Sequence, residues 1–159
     1  AAVEGKIDII INNAGVFPNK NSSFSDLKSE DLIKAFEVNT IGPVLVTQAF
    51  LPHLEKSDDP KVIHISSKVG SIDDNSGGGM YAYRCSKTAL NMINKSLALE
   101  FPDIVCTVLH PGWVQTQMGG SNAPTEVLDS TEGLFKVINN LGPKDTAKFV
   151  DYKGKEIPW

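Results

Sequence analysis

The chain has 159 residues, 41% hydrophobic and 21% charged, with a formal net charge of −4. That size and balance fit one globular domain and exclude a disordered or low-complexity chain. The acidic balance argues against a protein built to grip nucleic acid or anionic membrane, and no apolar run approaches the roughly 18 residues that span a bilayer.

The chain opens Ala1-Ala2-Val3-Glu4-Gly5, with no Met and no signal-peptide core. A cytoplasmic location is expected on that ground, and the two Asn-x-Ser sequons, at Asn21 and Asn94, read as chance matches. Two cysteines, Cys85 and Cys106, are too few for a disulfide framework and suit a reducing compartment. Residues 7–11, Ile-Asp-Ile-Ile-Ile, read as a short strand buried on both faces. A polar stretch leads to Ser29, a plausible helix cap backed by Glu30 and Asp31. A long helical pattern follows, with Leu32, Phe36, Ile41, Leu45, Val46, Ala49 and Phe50 as its apolar stripe, and Gly42-Pro43 should kink or break it.

Lys61-Val-Ile-His-Ile65 is the second strand, introduced by the turn residues Asp58-Asp59-Pro60. The loop through Asp73-Asp74-Asn75-Ser76-Gly77-Gly78-Gly79 looks the most flexible in the chain. A helix over 80–100 carries Leu90, Ile93, Leu97 and Ala98 on one stripe. The third strand is 105–109, followed by Pro111-Gly112. A loop and helical segment over 125–140 and a short strand over 148–151 close the pattern. Strands alternating with helices call for a parallel sheet with helices on its faces, in one domain.

Open α/β sheets take ligands at the carboxyl ends of their strands. Three features fall there: Asn12-Asn13-Ala14-Gly15, Ser66-Ser67 and Pro111-Gly112-Trp113-Val114-Gln115-Thr116. Tyr83 and Lys87 lie four apart on the intervening helix, on one face, one turn apart. An ammonium beside a phenol favours the phenolate and lowers the tyrosine pKa from about 10, which suits a proton donor or acceptor near neutral pH. Taken alone, such a pair is common on helices and specifies nothing. Ser67 alone reads as a turn or cap residue, and Asn39 alone as a solvent-facing amide near a helix break.

The ordered set changes that. Asn12-Asn13-Ala14-Gly15, Asn39-Thr40-Ile41-Gly42, Ile65-Ser66-Ser67, Tyr83-x-x-x-Lys87 and Pro111-Gly112 together resemble the short-chain dehydrogenase/reductase family, from about residue 6 to the end. The stretch Ser66 to Asn75 and the closing Ile157-Pro158-Trp159 resemble its C-factor and sniffer-type carbonyl reductase branch. The resemblance implies a Rossmann-type doubly wound parallel sheet and a nicotinamide cofactor, NADP(H) in preference to NAD(H). It implies reduction of a ketone, aldehyde or quinone to an alcohol by hydride transfer.

By the same resemblance, Tyr83 is the general acid/base and Lys87 lowers its pKa and holds the nicotinamide ribose. Ser67 hydrogen-bonds the substrate carbonyl, and Asn39 supports a water-linked proton relay to the lysine. Asn13, Ala14 and Gly15 line the adenosine side of the cofactor. Pro111, Gly112, Val114 and Thr116 line the nicotinamide side. No metal is implied. A homodimer is possible through the helices over 30–55 and 80–100, as in many relatives. The spacing from Ser67 to Tyr83 is longer than is common in the family, which the glycines at 77–79 can absorb. It leaves Ser66 as a second candidate. The loop Met118-Gly119-Gly120-Ser121-Asn122 would be a mobile lid over the substrate. Trp113 packs near the nicotinamide or fills core space, and the core-packing reading is the one expected.

A dinucleotide fold needs a glycine-rich turn after its first strand, and this chain has none. Residues 1–159 are therefore expected to be the carboxyl-terminal part of one NAD(P)-binding Rossmann domain, incomplete in its first half and inactive alone. The strand at 7–11 would then be an exposed apolar edge. Two other readings remain. One is a nucleotide-binding signalling protein with little catalysis. The other is a short product acting as a non-catalytic partner.

Overall fold

The computed structural model describes residues 5–20 and 23–159. Four strands, β1 (Ile9–Asn12), β2 (Lys61–Ile65), β3 (Val105–His110) and β4 (Phe149–Asp151), form one sheet in the order β1-β2-β3-β4. All three pairings are parallel, with Asn12 opposite His64 and Leu109 opposite Val150. The connections are helical: α1 (Ser29–Phe36), α2 (Gly42–Leu54), α3 (Tyr81–Glu100) and α4 (Val127–Asn140). Parallel strands need such crossovers, and these helices fall on both faces of the sheet.

One face packs Ile10, Val62 and Cys106 against Leu54 of α2 and Ala98 of α3. The other packs Ile63, Ile65, Leu109 and Val150 against Ile138 of α4. Alternate residues of one strand supply the two cores, because side chains alternate across a pleated strand. The core under α4 holds no β1 residue. Ile10 and Asn12 are buried, but Ile9 and Ile11 stay exposed. The expectation of burial on both faces thus fails for β1, which lies at the sheet edge and has one open side.

The long helix predicted over 30–55 is continuous but not uniform. Glu37–Ile41 forms a π-turn, in which the Gly42 N–H reaches back five residues to the Glu37 carbonyl. Pro43 explains it. It has no N–H to return to the Asn39 carbonyl, and its ring would crowd that group. The extra residue turns the helix face. Thr40, Pro43, Thr47 and Leu54 point inward, whereas Ile41, Leu45, Val46 and Ala49 are exposed. That corrects the apolar stripe at Ile41, Leu45, Val46 and Ala49, whereas Leu32, Phe36 and Phe50 stay partly buried, and the kink or break expected at Gly42-Pro43 is a π-turn within a continuous helix.

The sequon at Asn94 is closed to modification, since its side chain is fully buried and donates to the Cys106 carbonyl. Asn21 lies outside the described residues. Among the described residues no helix is long and apolar enough to cross a membrane.

Candidate active site

Asn12 leaves β1 buried, and Asn13 and Ala14 follow it on the surface. A Cβ built on Gly15 would lie 3.4 Å from Asn39 Oδ1 and 3.5 Å from Lys87 Nζ. The loop after β1 is therefore drawn against α3. Asn39 does the drawing. Its Oδ1 accepts from the Val16 N–H at 2.8 Å, and its Nδ2 donates to the Val16 carbonyl and to Ser86 Oγ, both at 2.9 Å. Ser86 Oγ donates in turn to the Tyr83 carbonyl. The π-turn is what aims Asn39 inward, and every donor of its amide is used. The solvent-facing reading of Asn39 is overturned, for its side chain is fully buried.

Tyr83 and Lys87 share the face of α3 that meets this loop, and both are buried. The Lys87 ammonium lies 5.8 Å from the Tyr83 ring centroid and donates to the Ile65 carbonyl at 2.9 Å. Burial brings the Lys87 pKa down to about 8. Burial also pushes the Tyr83 phenol above its ordinary value, and a side-chain hydrogen bond with Ser67 opposes the rise. The Lys87 ammonium thus bonds to the end of β2 while lying beside the Tyr83 ring. Phe17, in the loop after Gly15, stacks on the Tyr83 ring with centroids 4.4 Å apart.

Ser66 and Ser67 separate cleanly. Ser66 is buried and donates to Asn91 Oδ1 at 2.8 Å, so it ties β2 to α3. Ser67 is half-buried, and its hydroxyl accepts from the Val69 N–H. Its own carbonyl accepts from the Gly70 N–H, the first turn of a short 3-10 segment, Lys68–Gly70. A Cβ at Gly70 would sit 2.9 Å from the Lys87 Cβ, so only glycine lets this turn approach α3.

Pro111 and Gly112 follow β3, with Gly112 at φ +90° against Tyr152 and Thr125. Val114 pairs with Thr125, which pins the base of the loop 115–124. Thr116 is exposed, and its carbonyl and hydroxyl receive the Gly120 and Gly119 N–H groups. Lys20 reaches across to the Met118 carbonyl, so this loop is bridged to the loop after β1. Trp113 does not fill the core. It is exposed, with its indole N–H donating to the Gly119 carbonyl, because the polar ring edge takes the nearest free carbonyl of the glycine turn.

A buried polar pair behind Lys87 is invisible to motif reading. Asn12 Nδ2 lies 3.2 Å from both Thr47 Oγ1 and His64 Nδ1. The amide can only donate there, so Nδ1 accepts and the imidazole proton sits on Nε2, which has no partner among the described residues. Burial, with Lys87 nearby, lowers the His64 pKa to about 4. Phe17, Ser86 and His64 were all missed in the sequence. Ser86 alone left a signal, for it lies three residues after Tyr83 on the same helix face.

Residues 1–127 match the family model for short chain dehydrogenase. The chain belongs to the short-chain dehydrogenase/reductase family. Within this family it is 43% identical over 157 residues to the C-signal of Myxococcus xanthus, covering 98% of this chain and 94% of that protein. The carbonyl reductase Sniffer of D. melanogaster superposes with a TM-score of 0.94 at 39% identity, covering 97% of this chain and 67% of that one. An NADPH-bound carbonyl reductase from chicken fatty liver does so with a TM-score of 0.91 at 36% identity, covering 98% and 67%. The chain thus spans nearly all of C-signal and about two-thirds of the two reductases. The family places its four parallel strands and flanking helices in a Rossmann-type sheet.

Proposed function

We propose that this chain lies in one NAD(P)-binding Rossmann domain, and that the protein reduces a ketone, aldehyde or quinone to an alcohol. The observation that carries the reading is the buried Lys87 ammonium, 5.8 Å from the Tyr83 ring centroid and beside Gly15 of the loop after β1. A nicotinamide cofactor, NADP(H) in preference to NAD(H), supplies the hydride when bound. The preference rests on the chicken reductase, which binds NADPH.

Ser67 donates a hydrogen bond to the carbonyl oxygen and polarises it. Tyr83 gives its phenolic proton to that oxygen as negative charge develops there. Lys87 has three donors and spends one on Ile65, which leaves two for ribose hydroxyls and fits a cofactor at Gly15. Asn39 fixes the loop that carries Asn13, Ala14 and Gly15 on the adenosine side. Pro111, Gly112, Val114 and Thr116 line the nicotinamide side, and the loop 118–122 closes over the substrate. Exposed Ile41 in the π-turn, Leu45 on α2, and Met92 and Leu99 on α3 support a homodimer through those helices.

The test is Tyr83→Phe in the whole protein, assayed with NADPH and a panel of carbonyl compounds. Turnover should fall by about 100-fold or more, with cofactor affinity nearly unchanged. Undiminished turnover would remove Tyr83 as the proton donor. The match to C-signal over 94% of that protein favours a second reading, a signalling role with little catalysis. Absence of carbonyl reduction by the unaltered protein, with retained nucleotide binding, would select it.

A further inference from the structure

The loop 66–80 joins the two hydroxyls at issue, since it runs from Ser67 to the start of α3 just before Tyr83. At its two ends it is held by α3. Arg84 donates to the Val69 carbonyl at 3.0 Å and to the Gly78 carbonyl at 3.2 Å, and Thr88 donates to the Gly70 carbonyl at 2.8 Å. Its middle is held by something else. The main-chain oxygen of Trp159 accepts from the Ile72 N–H at 3.1 Å, the Asp73 N–H at 3.0 Å and Ser71 Oγ at 3.2 Å. Three donors converge on one oxygen. Ser71 is buried at this junction, and its hydroxyl oxygen also accepts from the Asp74 N–H.

That oxygen is placed by a rigid return of the chain. After β4 the backbone turns at Gly154 and runs back antiparallel, with Val150 bridged to Glu156 and the Ile157 N–H donating to the Phe149 carbonyl. Ile157 is buried with Val108 and Phe149. The Trp159 ring stacks on Phe149, centroids 5.7 Å apart, and Phe149 is among the most buried side chains. The sheet core therefore fixes Trp159, and Trp159 fixes the loop. Neither Tyr83 nor Ser67 is touched by it.

We propose that Ile157-Pro158-Trp159 is a positioning clamp, which holds the loop 71–73 through the Trp159 main-chain oxygen and so sets where the loop keeps Ser67 relative to Tyr83. This deepens the reading of the site given above. It also assigns a use to the closing motif, which no step of the reaction employs. The loop is long and glycine-rich, and between its α3-held ends the Trp159 oxygen is its link to the sheet core, beside the exposed Lys68–Asp74 ion pair and the loop's own turn bonds.

The experiment compares Trp159→Ala, Trp159→Phe and Ser71→Ala by amide hydrogen exchange and by the phenol-carbon resonance of Tyr83 in isotope-labelled protein. Trp159→Ala should speed exchange at Ile72 and Asp73 by about tenfold, the scale of one net hydrogen bond. The Tyr83 resonance should move with it as Ser67 shifts relative to the phenol. Trp159→Phe keeps a ring on Phe149 and should restore both. Ser71→Ala removes one donor, leaves the core intact and should shift both in the same direction by less. Exchange unchanged in Trp159→Ala and Ser71→Ala would overturn the clamp. Faster exchange with a stationary Tyr83 resonance would overturn its positioning role. Neither readout uses turnover, so an inactive protein that behaves as described would count against the oxidoreductase reading alone.

Discussion

Lys87 is a charge that the fold holds at a cost, and replacing it should make the protein more stable. Burial lowers its pKa from 10.5 to about 8. At 1.36 kcal/mol per unit, that difference is worth about 3 kcal/mol against the folded state. The sign follows from proton counting. Below pH 8 both states carry the proton and the full penalty applies. Between pH 8 and 10.5 the unfolded chain holds more protons than the folded one, so stability rises with pH. Above 10.5 both are neutral and the penalty is gone. Lys87→Met keeps an unbranched stem and removes the charge. It also removes the hydrogen bond to Ile65, which offsets about 1 kcal/mol. The variant should be more stable at pH 7 by about 2 kcal/mol, a rise in Tm of roughly 4–8 °C. By pH 10.5 the advantage should have vanished or reversed. Urea unfolding of both proteins at pH 7 and pH 10 measures it. A variant that is no more stable at pH 7, or whose difference does not change with pH, refutes the reasoning. A buried lysine kept at such a cost is what a group retained for chemistry looks like.

Two other outcomes follow from the buried polar groups. His64 is neutral in the fold with a pKa of about 4, against 6.5 when unfolded. As pH falls through that window the unfolded chain gains a proton first, so stability drops by up to about 3 kcal/mol. His64→Gln should lose less between pH 7 and 4.5 in urea midpoints, and equal losses would mean that His64 does not stay neutral. Asn39→Ala leaves the Val16 backbone groups and Ser86 without their partner. It should destabilise by about 3 kcal/mol, since water can reach half-buried Val16 and relieve part of the loss. Exchange of the Val16 amide should quicken, and an unchanged rate would show that Asn39 does not hold this loop.

The sequence by itself determined the element order, the parallel sheet and the family. Those depend on local periodicity and on short motifs, which are written in consecutive residues. It placed β2 and α3 within a residue of their observed bounds, for an apolar run after Asp-Asp-Pro and a long uninterrupted stripe leave little choice. It also named Tyr83 and Lys87 as neighbours, since helical spacing alone brings them to one face. Only the tertiary structure decided which way Asn39 points, because the single π-turn that carries it, ahead of Pro43, shifts which residues of the helix face inward. It alone separated buried Ser66, tied to Asn91, from half-buried Ser67, turned the Lys87 ammonium to Ile65, and left Trp113 exposed. The contact between Trp159 and the loop 71–73 spans more than 80 residues of chain. Periodicity says nothing at that range. Such contacts arise when the sheet brings the carboxyl ends of β2 and β3 and the return from β4 together, and that happens only once the core has packed.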